Sequence, residues 1–366
     1  MNKSNKNIVI LKGDVEFQSL KEKWSKLKSD YYFQEYNWLK LLASCRKEGD
    51  LVFICFYLKT DLVAILPLQI LKEKHFGILY TYLGFYEPDH MFIHDLAGNI
   101  DQETRFQLND IIQALKQADI RFDYLKLKRV YNNNLSRILD TKDTFFTRNH
   151  QNIARAIICP LNYDHFLNSL SKNRRKGIKK RRRLLEKAGN IRLSISNPSN
   201  INDLLEKFLL LEKSTWKGDS GNAILNTDRQ TRFFRGIVGF DESLVLLLEV
   251  DDVVVSGRIC IHSNDTLFVC KTSYNEDYKR YSPGELLLLE TIKYACSKKI
   301  KTINLMTDLP YHAHFSNASF TLNNHELYTK NIRCTLLVLA YKAKSTLKRL
   351  RDRILTLPLR GRRTSD

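Results

Sequence analysis

A mixed α/β fold in two halves is predicted by three observations on this 366-residue chain. Apolar runs of strand length alternate with stretches whose apolar residues recur every three or four positions, the pattern of strands interleaved with helices. In both halves helical stretches precede consecutive strand-like runs separated by short polar turns, which reads as an antiparallel meander. The length exceeds one ordinary domain, and a hydrophobic content of 43% is enough to fill two cores.

The first half opens with a strand at 8–11 and a helix over 15–27, where Phe17, Leu20, Trp24 and Leu27 share a face. A second helix at 35–45 turns Trp38, Leu41 and Leu42 inward. The runs 51–58 and 62–70, separated by Lys59-Thr60-Asp61, predict a hairpin. A strand at 77–84, an amphipathic helix at 103–116 and a strand at 122–127 follow. Polarity rises around Asn132-Asn133-Asn134 and Arg148-Asn149-His150, so the boundary between halves is placed near Ile153.

The second half begins with a helix over 163–187 ended by Gly189, then a strand at 191–195. Helices at 201–216 and 227–238 lead into three strands at 244–250, 253–262 and 266–273. A helix over 283–298, strands at 302–306 and 325–330, and a long basic helix over 331–355 complete the series. The division expected is therefore 1–152, 153–332 and a basic tail 333–366.

Composition narrows the function. Fifty-nine Lys and Arg against 40 Asp and Glu leave a net charge of +19, which favours an anionic partner such as coenzyme phosphates, RNA or a lipid surface. No apolar run approaches the roughly 20 residues of a membrane span, and the seven scattered cysteines form no Cys-x-x-Cys pair. Both features point to a reduced cytoplasmic setting, with no zinc or disulfide framework.

One segment carries chemistry. Residues 274–287 run from a strand through Tyr274, Tyr278, Arg280 and Tyr281 to Ser282-Pro283-Gly284-Glu285-Leu286, where a helix begins. A helix amino end directs unpaired N–H groups and the positive end of its dipole at whatever lies before it, a ready anion site. Upstream, 171–180 packs Lys172, Arg174, Arg175, Lys176, Lys179 and Lys180 into one helix, with Arg181, Arg182 and Arg183 just beyond. Like charges this close repel, so a bound anion would relieve them. A solvated helix face is the competing explanation, because no aromatic residues interleave the charges as base stacking requires.

These motifs, with Glu212-Lys213-Ser214-Thr215-Trp216-Lys217-Gly218 and Tyr311-His312-Ala313-His314-Phe315, resemble the FemAB-like and CelD-like (cellulose-biosynthesis) branch of the GNAT acyltransferases over roughly residues 160–320. The resemblance implies tandem GNAT-like domains in three layers around a central, mostly antiparallel, splayed sheet, the first domain degenerate. It further implies acetyl-CoA as co-substrate, its pyrophosphate cradled by Arg280, Ser282, Gly284, Glu285 and Leu286. The segment departs from the generic Arg/Gln-x-x-Gly-x-Gly/Ala pattern by its single glycine, its proline and Glu285. FemAB-type proteins take aminoacyl-tRNA as donor instead, so acyl-CoA and aminoacyl-tRNA both stay open.

Acyl transfer needs a base for the acceptor's proton. Asp308, Tyr311 and His312, with His314, follow the predicted strand at 302–306 and are the catalytic candidates. Tyr311 would return a proton to the leaving group, the role a tyrosine has in many GNAT enzymes. Arg174, Arg175, Lys179, Glu212, Trp216 and Tyr274 are the candidates for binding substrate, an anionic or cell-envelope precursor. Glu212 and Trp216, one helical turn apart, are expected to share a face. Arg258, inside an apolar strand, needs a partner, and Glu249 or Asp308 is expected to supply it. No Ser-His-Asp, Cys-His or metal-ligand spacing points to a covalent or metal route. The tail 342–363 alternates Leu347, Leu350, Ile354 and Leu357 with Lys and Arg, a basic amphipathic helix suited to the inner face of a membrane.

Overall fold

Strands dominate the chain because β-branched and aromatic residues cluster in runs bounded by turn residues, and their backbone groups must find partners once buried. The computed structural model describes residues 6–46, 49–86, 93–100, 106–131, 135, 138–139 and 145–355. Its strands are β1 (Lys6–Lys12), β2 (Leu51–Leu58), β3 (Asp61–His75), β4 (Ile78–Gly84), β5 (Ala97–Gly98), β6 (Tyr124–Val130) and β7 (Phe145–Ile158), followed by β8 (Ile191–Ile195), β9 (Ser243–Val250), β10 (Val253–Ser263), β11 (Thr266–Tyr274), β12 (Thr302–Asn304) and β13 (Ala318–Thr329). The helices are α1 (Asp14–Ser19), α2 (Lys21–Trp24), α3 (Tyr36–Ser44), α4 (Leu108–Gln117), α5 (Tyr163–Ser169), α6 (Lys172–Glu186), α7 (Ile201–Lys213), α8 (Trp216–Asp219), α9 (Asp228–Ile237), α10 (Pro283–Ser297) and α11 (Ile332–Leu355).

Among the described residues the strands form a single mixed sheet in the order β1-β2-β3-β4-β6-β13-β7-β12-β11-β10-β9-β8, with β5 on β3. The α/β class, the β2–β3 hairpin and the β9–β10–β11 meander are as expected. The sheet has a two-fold plan that no residue-level repeat announces. In each half the third meander strand pairs in parallel with the next strand over three positions, Tyr82–Gly84 on Tyr124–Lys126 and Thr266–Phe268 on Thr302–Asn304. The halves then exchange their last strands: β13 lies between β6 and β7, while β7 pairs with β12. The expected boundary near Ile153 therefore falls inside β7, a strand paired along both edges with the second half.

One face of the sheet carries a core built from both halves, where Phe33 meets Phe268 at 5.0 Å and Trp38 meets Phe233 at 5.5 Å between ring centroids. The other face is covered in separate patches, by α10 over the second half and by α4 over the first. Gly257 on β10 admits α7 closely, since a Cβ there would lie 2.5 Å from Phe208 Cδ2.

Three predicted helices are corrected. The helix over 15–27 is divided at Leu20 into α1 and α2. The helix over 163–187 is broken at Leu170, whose extended backbone (ψ 148°) lets the Ser171 side chain cap α6 by accepting the Arg174 N–H. That over 201–216 ends at Lys213, and Thr215 caps the new short helix α8. At Ser171 and Thr215 a local hydroxyl takes a backbone donor from the helix that follows, and apolar periodicity does not register that competition. Asn132-Asn133-Asn134 and the tail beyond Leu355, including Leu357, lie outside the described residues. No described helix is long and apolar enough to cross a membrane.

The break at Lys213 changes what Glu212 does. Its carboxylate is wholly buried, with Lys217 Nζ at 3.1 Å, Lys271 Nζ at 3.2 Å and the Ile224 N–H at 2.9 Å. Burial pushes its pKa up, but Lys271, Lys217 and the Ile224 N–H outweigh that and hold it below the ordinary value. Lys217 also donates to the Thr272 carbonyl, tying α8 to β11. Glu212→Ala removes the buried carboxylate that both lysines share, and a loss of about 3–5 kcal/mol is expected. Chemical denaturation with a far-ultraviolet circular dichroism readout measures it, and an unchanged midpoint would remove this cluster from the supports of the fold.

Candidate active site

The site forms where two strands part. β11 stays on β10 as far as Tyr274, but its parallel pairing with β12 ends at Phe268↔Asn304. After Asn304 the chain turns away, because the Asn304 side chain accepts the Met306 N–H (2.9 Å) and Met306 adopts a left-handed φ of 60°. Leu305 and Thr307 are held instead by Arg155 of β7, through bonds of 2.9 and 3.0 Å. Residues 269–274 therefore face an opening on the side where a strand would otherwise continue.

Three segments converge on this opening. The first is the end of β11, where half-buried Tyr274 leads into a 3₁₀ turn at Glu276–Tyr281. The second is the start of α10, reached through Ser282 in the left-handed region (φ 52°) and Pro283 at the first helical position. A Cβ on Gly284 would meet nothing within 4 Å, so this turn faces open space. Its donors are fewer than the sequence suggests. Pro283 has none, and the N–H groups of Glu285 and Leu286 are drawn to the Ser282 carbonyl at 3.0 and 3.2 Å, leaving that of Gly284 for an anion. Glu285 does not stand open to the groove as a repelling charge, being tied to Arg181 at 2.5 Å and Arg174 at 3.5 Å on α6. Leu286 is buried in the core beneath. Arg280 lies over the Tyr281 ring and lines a separate groove of about 760 Å³ with Lys187, Asp277 and Tyr278.

The third segment is the turn Pro310–His314, which carries Tyr311 and His312 with ring centroids 4.3 Å apart. His312 is 4% exposed, and its Nδ1 lies 3.2 Å from the Thr307 carbonyl. A carbonyl only accepts, so Nδ1 carries the proton and Nε2 keeps the lone pair. Burial, with the charges of Arg258 and Arg155, lowers its pKa to about 4, so the ring is neutral at pH 7. Burial raises the Tyr311 hydroxyl, Glu285 and Tyr274 add to that, and Arg258 opposes it. His314 is exposed.

Arg258 is wholly buried, with Nε 3.3 Å from Thr272 Oγ1 and Nη1 3.1 Å from Thr291 Oγ1. The carboxylates expected beside it are engaged elsewhere. Glu249 holds Arg192 at 3.0 Å and Ser194 at 2.6 Å, and Asp308 holds Arg155 at 2.6 Å. Among the described residues no carboxylate pairs with Arg258, whose positive charge is felt by Tyr311 and His312.

The groove thus gathers Tyr274, Ser282, Gly284, Tyr311 and His312, with Asp308 at its rim and Glu285 turned aside to α6. Other candidates are used differently. Arg175 caps the end of α5 by donating to the carbonyls of Asn168 (2.8 Å) and Leu170 (2.5 Å). Glu212 is buried and Trp216 is 56% exposed, so the pair shares no face. Lys179 lines a basic cavity on α6. Arg155, Thr272, Thr291 and the Thr307 carbonyl were missed. A lone arginine between Ala154 and Ala156 was the available signal for the first, and nothing in the sequence singles out the others. No described group of three His, Cys, Asp or Glu side chains is arranged to hold a metal.

Comparison with known proteins bears on the stretch that builds this groove. Residues 172–313 match the family model described as an acetyltransferase (GNAT) domain. A conserved protein of unknown function from Bacteroides thetaiotaomicron is similar over 88% of this chain and 100% of its own, at 12% identity and a TM-score of 0.55. FemX is similar over 86% of this chain and 96% of its own, at 10% identity and a TM-score of 0.52. These likenesses concern the fold, and they extend it across both halves. No curated protein matches the chain.

The His312 assignment has a consequence for stability. Its folded pKa of about 4 lies below the ordinary 6.5, so between these values the unfolded chain binds a proton that the folded chain lacks. The stability it contributes is complete above pH 6.5 and is lost as pH falls toward 4. His312→Gln is expected to flatten the fall in thermal midpoint over that window, His94 (pKa about 3) accounting for part of what remains. Parallel midpoint curves for the two proteins would contradict a buried neutral imidazole.

Proposed function

We propose that this protein is an acyltransferase that moves an acyl group, acetyl in the simplest case, from an acyl-CoA thioester to an amine or hydroxyl acceptor. The observation that carries the reading is the opening beside residues 269–274, with a neutral histidine and a protonated tyrosine in contact at one wall. The edge of β11 beside the Thr272 carbonyl, which Lys217 takes, is suited to hydrogen-bond a pantetheine arm, and the Gly284 N–H at the α10 dipole is suited to a phosphate. Asp308, ion-paired to Arg155, positions the turn that bears the catalytic pair.

In the proposed reaction the acceptor N–H or O–H passes its proton to His312 Nε2 as its lone pair attacks the acyl carbonyl carbon. The tetrahedral adduct collapses, the bond to the leaving group breaks, and that group takes the Tyr311 proton. Arg258 stabilises the transient phenolate, and the proton on His312 returns to the tyrosine beside it. One proton has moved from acceptor to leaving group.

A FemAB-like reading, with aminoacyl-tRNA as donor, has its own support. A single unclaimed amide at the turn is a poor pyrophosphate cradle, whereas Lys176, Lys179, Lys180, Arg183 and Lys187 line a cavity of about 620 Å³ without a carboxylate partner among the described residues. A phosphodiester backbone suits that face. Cell-envelope or polysaccharide precursors are the proposed acceptors, as in the CelD-like branch, and the cytoplasm is the proposed site of action. A fold that binds RNA or glycan without chemistry is the remaining reading.

Coenzyme A at 100 times its dissociation constant is expected to stabilise the protein by about 2.7 kcal/mol. Thiol release from acetyl-CoA with a panel of amines is expected to lose roughly 10²–10⁴ in kcat on Tyr311→Phe, with KM little changed. Thermal stability indifferent to coenzyme A, together with steeply salt-sensitive tRNA binding, would reject the first donor, and no transfer from either donor would reject catalysis.

A further inference from the structure

α11 is amphipathic twice over. Its inner face, Cys334, Leu337, Val338 and Tyr341, packs on Tyr80, Tyr124 and Tyr328, and the Tyr341 hydroxyl meets His75 Nδ1 at 2.8 Å. The helix therefore needs no further apolar residues to dock. Yet Ile332, Leu336, Leu339, Leu347 and Leu350 are 81%, 57%, 55%, 67% and 49% exposed.

Their spacing makes them a single stripe. Ile332 and Ala343, Leu336 and Leu347, and Leu339 and Leu350 are pairs eleven residues apart, which at about 3.6 residues per turn differ by only about 20° around the axis. The row is straight, and it runs along the side of the helix away from Tyr341. At the same end of the sheet the β3–β4 turn exposes Phe76, Ile78 and Leu79, with the Phe76 ring 5.5 Å from that of Tyr341.

Charge selects the occupant. Residues 332–355 hold seven Lys and Arg against one acid, Asp352. Lys342 and Arg349 flank the stripe on one side, Arg333, Lys344 and Arg351 on the other. A second copy would bring these cations against each other with no carboxylates to pair them, as a coiled coil requires at its flanks. A nucleic acid would use the cations and leave the leucines in water. A surface that is apolar a few ångströms down and anionic at its rim satisfies both sets.

We infer that α11 lies on an anionic phospholipid bilayer, its leucine row among the acyl chains and its flanking cations at the phosphates. The protein is thereby held peripherally at a membrane, whatever acyl donor it uses.

Co-sedimentation of the full chain with extruded vesicles tests this. Binding is expected to vesicles containing phosphatidylglycerol, to be weak on pure phosphatidylcholine, and to fall with salt. Leu347→Ser with Leu350→Ser, both exposed, is expected to weaken binding roughly tenfold or more with the thermal midpoint unchanged. Lys342→Gln with Arg349→Gln is expected to weaken it less, and only at low salt. Absence of vesicle binding overturns the inference, as does equal binding to neutral vesicles. A dimer in sedimentation velocity that the leucine variant dissolves assigns the stripe to a second copy and overturns it too. Retention of tRNA by the leucine variant and its loss by the cation variant, without vesicle binding, assigns the face to nucleic acid instead.

Discussion

The bend at Asn304–Thr307 is the constraint on which the site depends. A buried backbone donor must have an acceptor, and here the Asn304 side chain takes the Met306 N–H that a neighbouring strand would otherwise receive. The following residues then bond to Arg155 of β7 and β11 remains with β10, so the sheet opens between them. No extra layer or insertion is needed to make a groove. The same bend swings Asp308, Tyr311 and His312 over its mouth, and the ion pair from Asp308 to Arg155 holds them there.

Burial then sets the chemistry of that wall. Desolvation keeps His312 neutral and Tyr311 protonated, which fits one to accept a proton and the other to donate one. Arg258 is the unusual element. It sits in the core with two threonine hydroxyls for partners and no carboxylate among the described residues, so its charge acts on the groove. Glu212 gathers Lys217 and Lys271, and Lys217 fixes β11 through the Thr272 carbonyl. Two buried charges, one on α7 and one on β10, thus bear on β11, Glu212 supporting it and Arg258 tuning the groove beside it.

Much of the architecture was legible along the chain. Lys59-Thr60-Asp61 announced the β2–β3 hairpin, Asp251-Asp252 and Ser263-Asn264-Asp265 announced the meander, and Ser282-Pro283-Gly284 marked where α10 begins. These are signals in which a residue's own backbone preferences match its neighbours' hydrophobic rhythm. Misreadings arose where a side chain answered to something distant. Arg175 looked like part of a basic surface but is consumed by the carbonyls at the end of α5. Glu212 looked like the partner of Trp216 but is the counter-ion of a lysine on a strand far along the chain. Polar residues around Asn149 suggested a boundary, yet that stretch is part of β7, paired there with β13 of the other half, and β7 further along also pairs with β12.

The amino-acid sequence by itself determined the α/β class, the order of most elements, the segment 274–287 as a strand-turn-helix, and the basic character of α6 and α11. Periodicity and turn chemistry are local properties, and they are written in residues only a few positions apart. The exchange of β7 and β13, the parting of β11 from β12, the neutrality of His312 and the burial of Arg258 against two threonines were decided by the tertiary structure. Strand partners and buried charges depend on which groups from separate elements meet once the chain is folded, and on how much water each retains when they do.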